Sequence, residues 1–212
     1  MNRKTYIEMV RRQIYGGQPA DDATITVGLV NKWLDIAIAA AAKQNNKDNI
    51  TIDGISYINN SFYTIFKGLS VTKDENFLWK IELPQLPLGI GTSEGISTLE
   101  FKDPTTGEIA YPAVMMSENQ RSFQRGMRTI PNKILAYSQG EFIYALSTLI
   151  LSPYTASVTM VSGGNSNDLS STINVPNDYF TLIVEYLKQQ FAYSLNVKVD
   201  GANDGRDVNL DA

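Results

Sequence analysis

The side chains available for chemistry are carboxylates, amines, guanidinium groups, phenols and hydroxyls, because the 212 residues include neither cysteine nor histidine. That excludes disulfides, thiolate nucleophiles, Ser-His-Asp and Cys-His systems, and zinc held by Cys or His. Carboxylate chemistry stays open. Glu75, Glu82, Glu94, Glu100 and Glu108 could in principle meet as an acid–base pair of the glycosidase kind. Their spacing selects no pair, and carboxylates are ordinarily solvated surface groups.

Three further stretches carry residue patterns that could do chemistry. Residues 89–95 carry Gly89, Gly91 and Gly95 without the lysine of a phosphate-binding loop, so they read as a loop tip. Residues 200–211 resemble part of a calcium loop, with Asp200, Asp204, Gly205 and Asp211 in place. Ala202 occupies a ligand position, so the bland reading is a solvated acidic tail and no metal or cofactor is expected. Residues 121–133 hold Arg121, Arg125, Arg128 and Lys133 around Phe123 and Met127, with no acid between Glu118 and Glu141. A single-stranded nucleic-acid surface mixes basic and stacking groups in this way, but so does a protein interface. The adjacent Met115 and Met116 favour the interface. The triplets starting at Asn49 and Asn59 match glycosylation acceptors and are read as coincidences, since no secretory signal is seen.

The elements that must position these residues begin with helices. Residues 3–15 predict a short helix burying Tyr6, Met9, Val10, Gln13 and Ile14, ended by Gly16, Gly17 and Pro19. Asp21 and Asp22 are expected to cap a second helix over 23–44, with Leu29, Val30, Trp33, Leu34, Ala37, Ala40 and Ala41 on its core face. The β-branched run 24–27 weakens its start. The clearest helical period lies in 174–195, where Tyr179, Leu182, Ile183, Tyr186, Leu187, Phe191 and Leu195 share a face. Pro176 and Asp178 suit its first turn.

Between the helices the texture is β. Residues 49–58 alternate, with Asp53 and Gly54 as a hairpin signal. Further strands are predicted at 62–66, 78–83, 96–101, 109–111, 133–137, 142–146 and 156–161, with a hairpin over 138–141. The expected fold is α+β: terminal α-helices forming a small helical bundle, with an inserted antiparallel β region. The expected divisions are 1–46 for the N-terminal helices, 47–165 for the β region, 166–196 for the C-terminal helix packing on the first two, and 197–212 for a polar tail. No apolar run is long enough to span a bilayer.

This order of elements resembles the head-to-tail connector proteins of tailed bacteriophages, the adaptor, gatekeeper or ring proteins that dock under the portal. The resemblance is carried by three features: the N-terminal helix pair with its Gly-Gly-Pro break, the strand-rich middle with residues 137–144, 151–154 and 156–161, and the step from Val175 through Pro176 and Asp178 to Tyr179 into the last helix. The Asn-, Ser- and Tyr-rich composition is similar to that of crAss-like phages. The resemblance implies a non-enzymatic virion protein, assembled in the host cytoplasm. It implies a ring of about twelve copies around the DNA exit channel, contacting the portal and other tail rings, with transient contact to DNA and none to membrane. Its expected interface residues are Trp33, Ala37, Ala41, Arg121, Phe123, Arg125, Arg128, Tyr179 and Tyr186. The net charge of −4 suits a channel wall along which DNA must slide. The alternative is a carbohydrate- or receptor-binding β module using Tyr57, Tyr63, Trp79, Tyr111 and Tyr154 as stacking platforms.

Overall fold

A computed structural model describes residues 1–20, 23–75, 78–90, 95–116 and 133–192. Helix α1 (Arg3–Tyr15) starts at Asn2, whose side chain accepts from the Thr5 amide, and ends at Gly16 in the left-handed region. It buries Tyr6, Ile7, Val10 and Ile14, while Met9, expected inside, is exposed. Helix α2 (Val27–Asp53) is capped by Thr26, not by the expected aspartates, because the β-branched run from 24 holds the chain extended until the Thr26 hydroxyl can accept from the Leu29 amide.

The largest local correction lies at the other end of α2. The 49–58 stretch is not a hairpin. The helix continues to Asp53, and Gly54 (φ 72°) closes it by donating its N–H to Ile50 O. Asp-Gly serves equally as a hairpin turn and as a helix stop, since both need a residue with φ > 0. Tertiary bonds decide between them. Asn49 Nδ2 donates to Tyr57 O (3.0 Å) and Asn59 Oδ1 (3.1 Å), and the Asn59 amide donates to Asn45 Oδ1 (2.8 Å).

The strands are β1 (Tyr63–Leu69), β2 (Val71–Lys73), β3 (Trp79–Glu82), β4 (Ile96–Lys102), β5 (Ile109–Met115), β6 (Ile134–Gln139), β7 (Phe142–Leu146) and β8 (Thr155–Val161). They form one sheet in the order β1-β8-β4-β5-β6-β7-β3-β2. Its two edge strands, β1 and β2, are separated in the chain by Ser70 alone. A single residue spans under about 4 Å, so the two edges must face each other. The sheet is therefore curled into a nearly closed barrel. Gly68 (φ 71°) lies in the irregularity between Phe66 and Leu69, where β1 bends toward β2.

All neighbours are antiparallel except β5 and β6, which pair in parallel from Ala113↔Ile134 to Met115↔Ala136. Pro112 is tolerated in β5 because it lies just before that pairing begins. Val71, Trp79, Ile81, Leu99, Phe101, Ile143, Val158 and Met160 are among the side chains that fill the barrel. The third helix, α3 (Phe180–Gln190), is shorter than expected and follows a 3-10 turn at Asn177–Tyr179. It buries Ile183, Val184 and Leu187. Together with α1, α2, Phe62 and Val161 it forms a second core, against the barrel end where β1 begins and β8 finishes.

The expected helical bundle with an inserted antiparallel β region is thus overturned. The chain is α+β, but its body is an eight-stranded mixed sheet, nearly closed on itself, with three α-helices beside it among the described residues. The misreading has a physical source. Strand order, closure and the parallel pair are set by contacts between residues far apart in sequence, which local patterning does not carry.

Candidate assembly interface

Arg3 ties the helices to the barrel. It is fully buried, and its guanidinium donates to Asp35 Oδ1 (2.6 Å), Asn31 Oδ1 (2.6 Å), Asn31 O (2.8 Å) and Gly163 O. A planar five-donor fork suits this arrangement of acceptors, which an ammonium could not satisfy together. A Cβ at Gly163 would run into the Asp35 carboxylate, so glycine is required there. The start of α1 is also pinned by its backbone: Arg3 N donates to Ser171 O and Lys4 N to Leu169 O, both at 2.8 Å.

A second polar cluster fixes the far half of α2. Asn45 Nδ2 donates to the Tyr179 hydroxyl (3.0 Å), which donates in turn to Asp48 Oδ2 (3.2 Å). Tyr179 also meets Phe62 edge to face, with ring centroids 5.2 Å apart. Of the residues nominated from sequence, Ala37 and Ala41 are fully buried in the helical core of the same chain, where Trp33, Tyr179 and Tyr186 pack half-buried beside them. The alanine face of α2 and the aromatic face of α3 therefore satisfy one another within one chain. Arg121, Phe123, Arg125 and Arg128 lie outside the described residues, as do Glu94, residues 91–94 of the glycine-rich stretch and the partial calcium loop.

The remaining nominated groups do not converge. Glu100 pairs with Lys102 (3.2 Å), and Glu75, Glu82 and Glu108 are exposed. Among the described residues no three acids gather where a cation could be held. Gly95 (φ 70°) has a structural reason to be glycine, since a Cβ there would meet the Leu88 carbonyl. Asp103 accepts from the amides of Thr105 (2.7 Å) and Thr106 (3.2 Å), and these bonds hold its carboxyl below the ordinary aspartate value. Of the five proposed stacking rings, Trp79 is inside the barrel and donates its indole N–H to Leu149 O (3.1 Å). Tyr111 and Tyr154 pack edge to face at 5.4 Å, and the hydrogen bond to Tyr111 raises the Tyr154 phenol above its usual value.

The surface that sequence reading missed is the tip of α2. Ile52 is 78% exposed and Ile55 63%, with Ile50 (45%) and Tyr57 (41%) beside them. Taking 49–58 for a strand hid it, because alternation placed these isoleucines on a buried sheet face. On the outer face of the sheet, Tyr144 stacks on Tyr137 at 5.4 Å and Lys80 Nζ lies 3.6 Å from the Phe142 ring centroid. Among the described residues no helix is long and apolar enough to cross a membrane. No protein-family model matches the chain, and no curated protein matches it.

Proposed function

We propose that this chain is a structural assembly protein, a ring-forming head-to-tail connector of a tailed bacteriophage virion, joining the portal to the tail around the DNA exit channel. The observation that carries the reading is the uncovered apolar tip of α2, on a protein whose buried Arg3 and Asn45 are occupied in holding its own elements together. Contiguous exposed apolar side chains mark contact surfaces more often than scattered ones do. The barrel and the buried Arg3 clamp give a rigid body suited to repeating in a ring of about twelve copies, as the resemblance implies. A net charge of −4 suits passage of DNA, which a basic wall would retain.

Electron microscopy of the purified protein, alone and mixed with the portal protein of the same phage, tests this. Rings, or a ring-shaped layer on the portal, are expected. A monodisperse monomer with no affinity for the portal overturns the reading. The carbohydrate-binding alternative is separated by a glycan array, on which the connector reading expects no signal.

A further inference from the structure

Helix α2 outruns the helix packed on its first part. Helix α1 lies antiparallel to it: Arg3 bonds Asn31 and Asp35, while the Arg11 guanidinium donates to Ile25 O (2.9 Å) and Tyr15 OH accepts from the Ile25 amide (2.8 Å). From Asp35 the helix runs on to Asp53, a further 18 residues or about 27 Å. At its end stand the exposed Ile52 and Ile55 with Asp53, and the last turn has no cation. A helix C-terminus is already the negative end of the dipole, so an acid there calls for a positive partner.

The outward stripe of α1 offers the complement. Met9 is exposed beside Arg12, one turn further on, and Lys4 and Arg12, also exposed, flank the half-buried Glu8 at four residues from each, which leaves the patch with a net positive charge. Apolar group and positive charge on α1 match apolar groups and negative charge at the tip of α2. Within one chain the two patches are separated by some 27 Å of helix, so the tip cannot reach its own α1.

We propose that the tip of α2 (Ile52, Asp53 and Ile55) docks on the α1 stripe (Lys4, Met9 and Arg12) of a second copy of this chain. The contact joins two different patches and is head to tail, the kind that closes into a ring when its rotation permits. It deepens the connector reading and rests on it for closure. The patch is a few side chains against the roughly 800 Å² per partner of a stable pair, so each contact is weak and acts through repetition.

The chain has no cysteine, which makes the test clean. Met9→Cys and Ile52→Cys variants are mixed on the order of 1 mM, the effective concentration neighbours experience in an assembly, and oxidised with diamide. A disulfide-linked dimer is expected in the mixture and not in either variant alone, and the double variant is expected to give a ladder. Charge reversal gives a second readout in the wild-type background: Asp53→Arg and Arg12→Asp should each weaken self-association about fivefold, and the two together should restore it. A dimer from Ile52→Cys alone, or oligomers without the 9–52 link, overturns this contact while leaving a ring possible by other surfaces. The link with open chains under the microscope keeps the contact and removes the ring. Monomers at every concentration, without the link, overturn both.

Discussion

The hydroxyl of Tyr6 is buried in the helical core without a hydrogen-bond partner among the described residues, although the ring packs edge to face on Phe180 at 5.5 Å. An orphaned buried hydroxyl costs about 1–3 kcal/mol, so Tyr6→Phe should stabilise the protein by about 1 kcal/mol in urea unfolding. Burial pushes the Tyr6 phenol above the ordinary value of 10.0, which adds a pH signature. Above that value the unfolded chain loses its proton first and binds fewer protons than the native state, so stability falls as pH rises. Below it the contribution is constant. The wild type should therefore lose stability above about pH 10 more steeply than Tyr6→Phe, the remaining loss coming from Tyr57 and Tyr154, whose phenols are also raised. Arg3 is the opposite case, a buried group with every acceptor in place. Arg3→Ala leaves Asp35 and the Gly163 carbonyl without their donor and should cost about 3 kcal/mol by the same urea measurement. Nothing in the sequence singles out Arg3 among its basic neighbours Lys4, Arg11 and Arg12, because its acceptors come from α2 and from a loop 160 residues away.

Among the elements, α2 shows where local reading succeeds and where it stops. Its first half was legible, since Val30, Leu34, Ala37 and Ala41 fall on one face and all are buried. Its second half was not, because Asn45 and Asn49 are ordinary helix-weakening residues until loop 57–59 and Tyr179 bond them. One of the two expected hairpins was legible. The expected turn over 138–141 joins β6 and β7 with Tyr137 opposite Tyr144, and Gly140 (φ 61°) supplies the left-handed position. β2 was missed because three residues carry no period. The tip of α2, on which the proposed assembly contact depends, went unseen for the same reason as the helix that bears it. Two substitutions probe that helix. Gly54→Ala meets no neighbouring atom but keeps φ 72°, so it should cost only the backbone penalty of about 1 kcal/mol. Asn45→Ala removes the acceptor for the Asn59 amide and the donor to Tyr179 and should cost about 2 kcal/mol. In circular dichroism both variants should lose helix signal at lower temperature than the wild type.

For the whole molecule, the deciding fact is that β1 and β8 pair across about half the chain, Tyr63 opposite Val161 and Phe66 opposite Val158. β8 is flanked on both sides, by β1 and by β4, and its buried Val161 also touches the helical core. With Tyr63 of β1, it is where the barrel meets the helical core, so separating the two parts requires this end of the sheet to open. β2 is the reverse. It has three residues, one strand neighbour, and a position at the sheet edge opposite β1. Local opening free energies range from near zero at such edges to the full unfolding value at doubly paired central strands. Native-state hydrogen exchange should therefore rank the β8 amides slowest, at the rate of global unfolding, and the β2 amides fastest among the strands. The rank carries a consequence for assembly. The connector proposed here must grip neighbours without opening itself, and the α2 tip is held by polar bonds near Phe62, whose ring belongs to the same helical core as Val161. Asn45→Ala should accordingly quicken exchange in α2 beyond Asn45 and leave β8 at the global rate. Quickening in β8 at a constant global stability would show instead that the tip and the barrel open together, and that a strained contact at the tip could loosen the whole sheet.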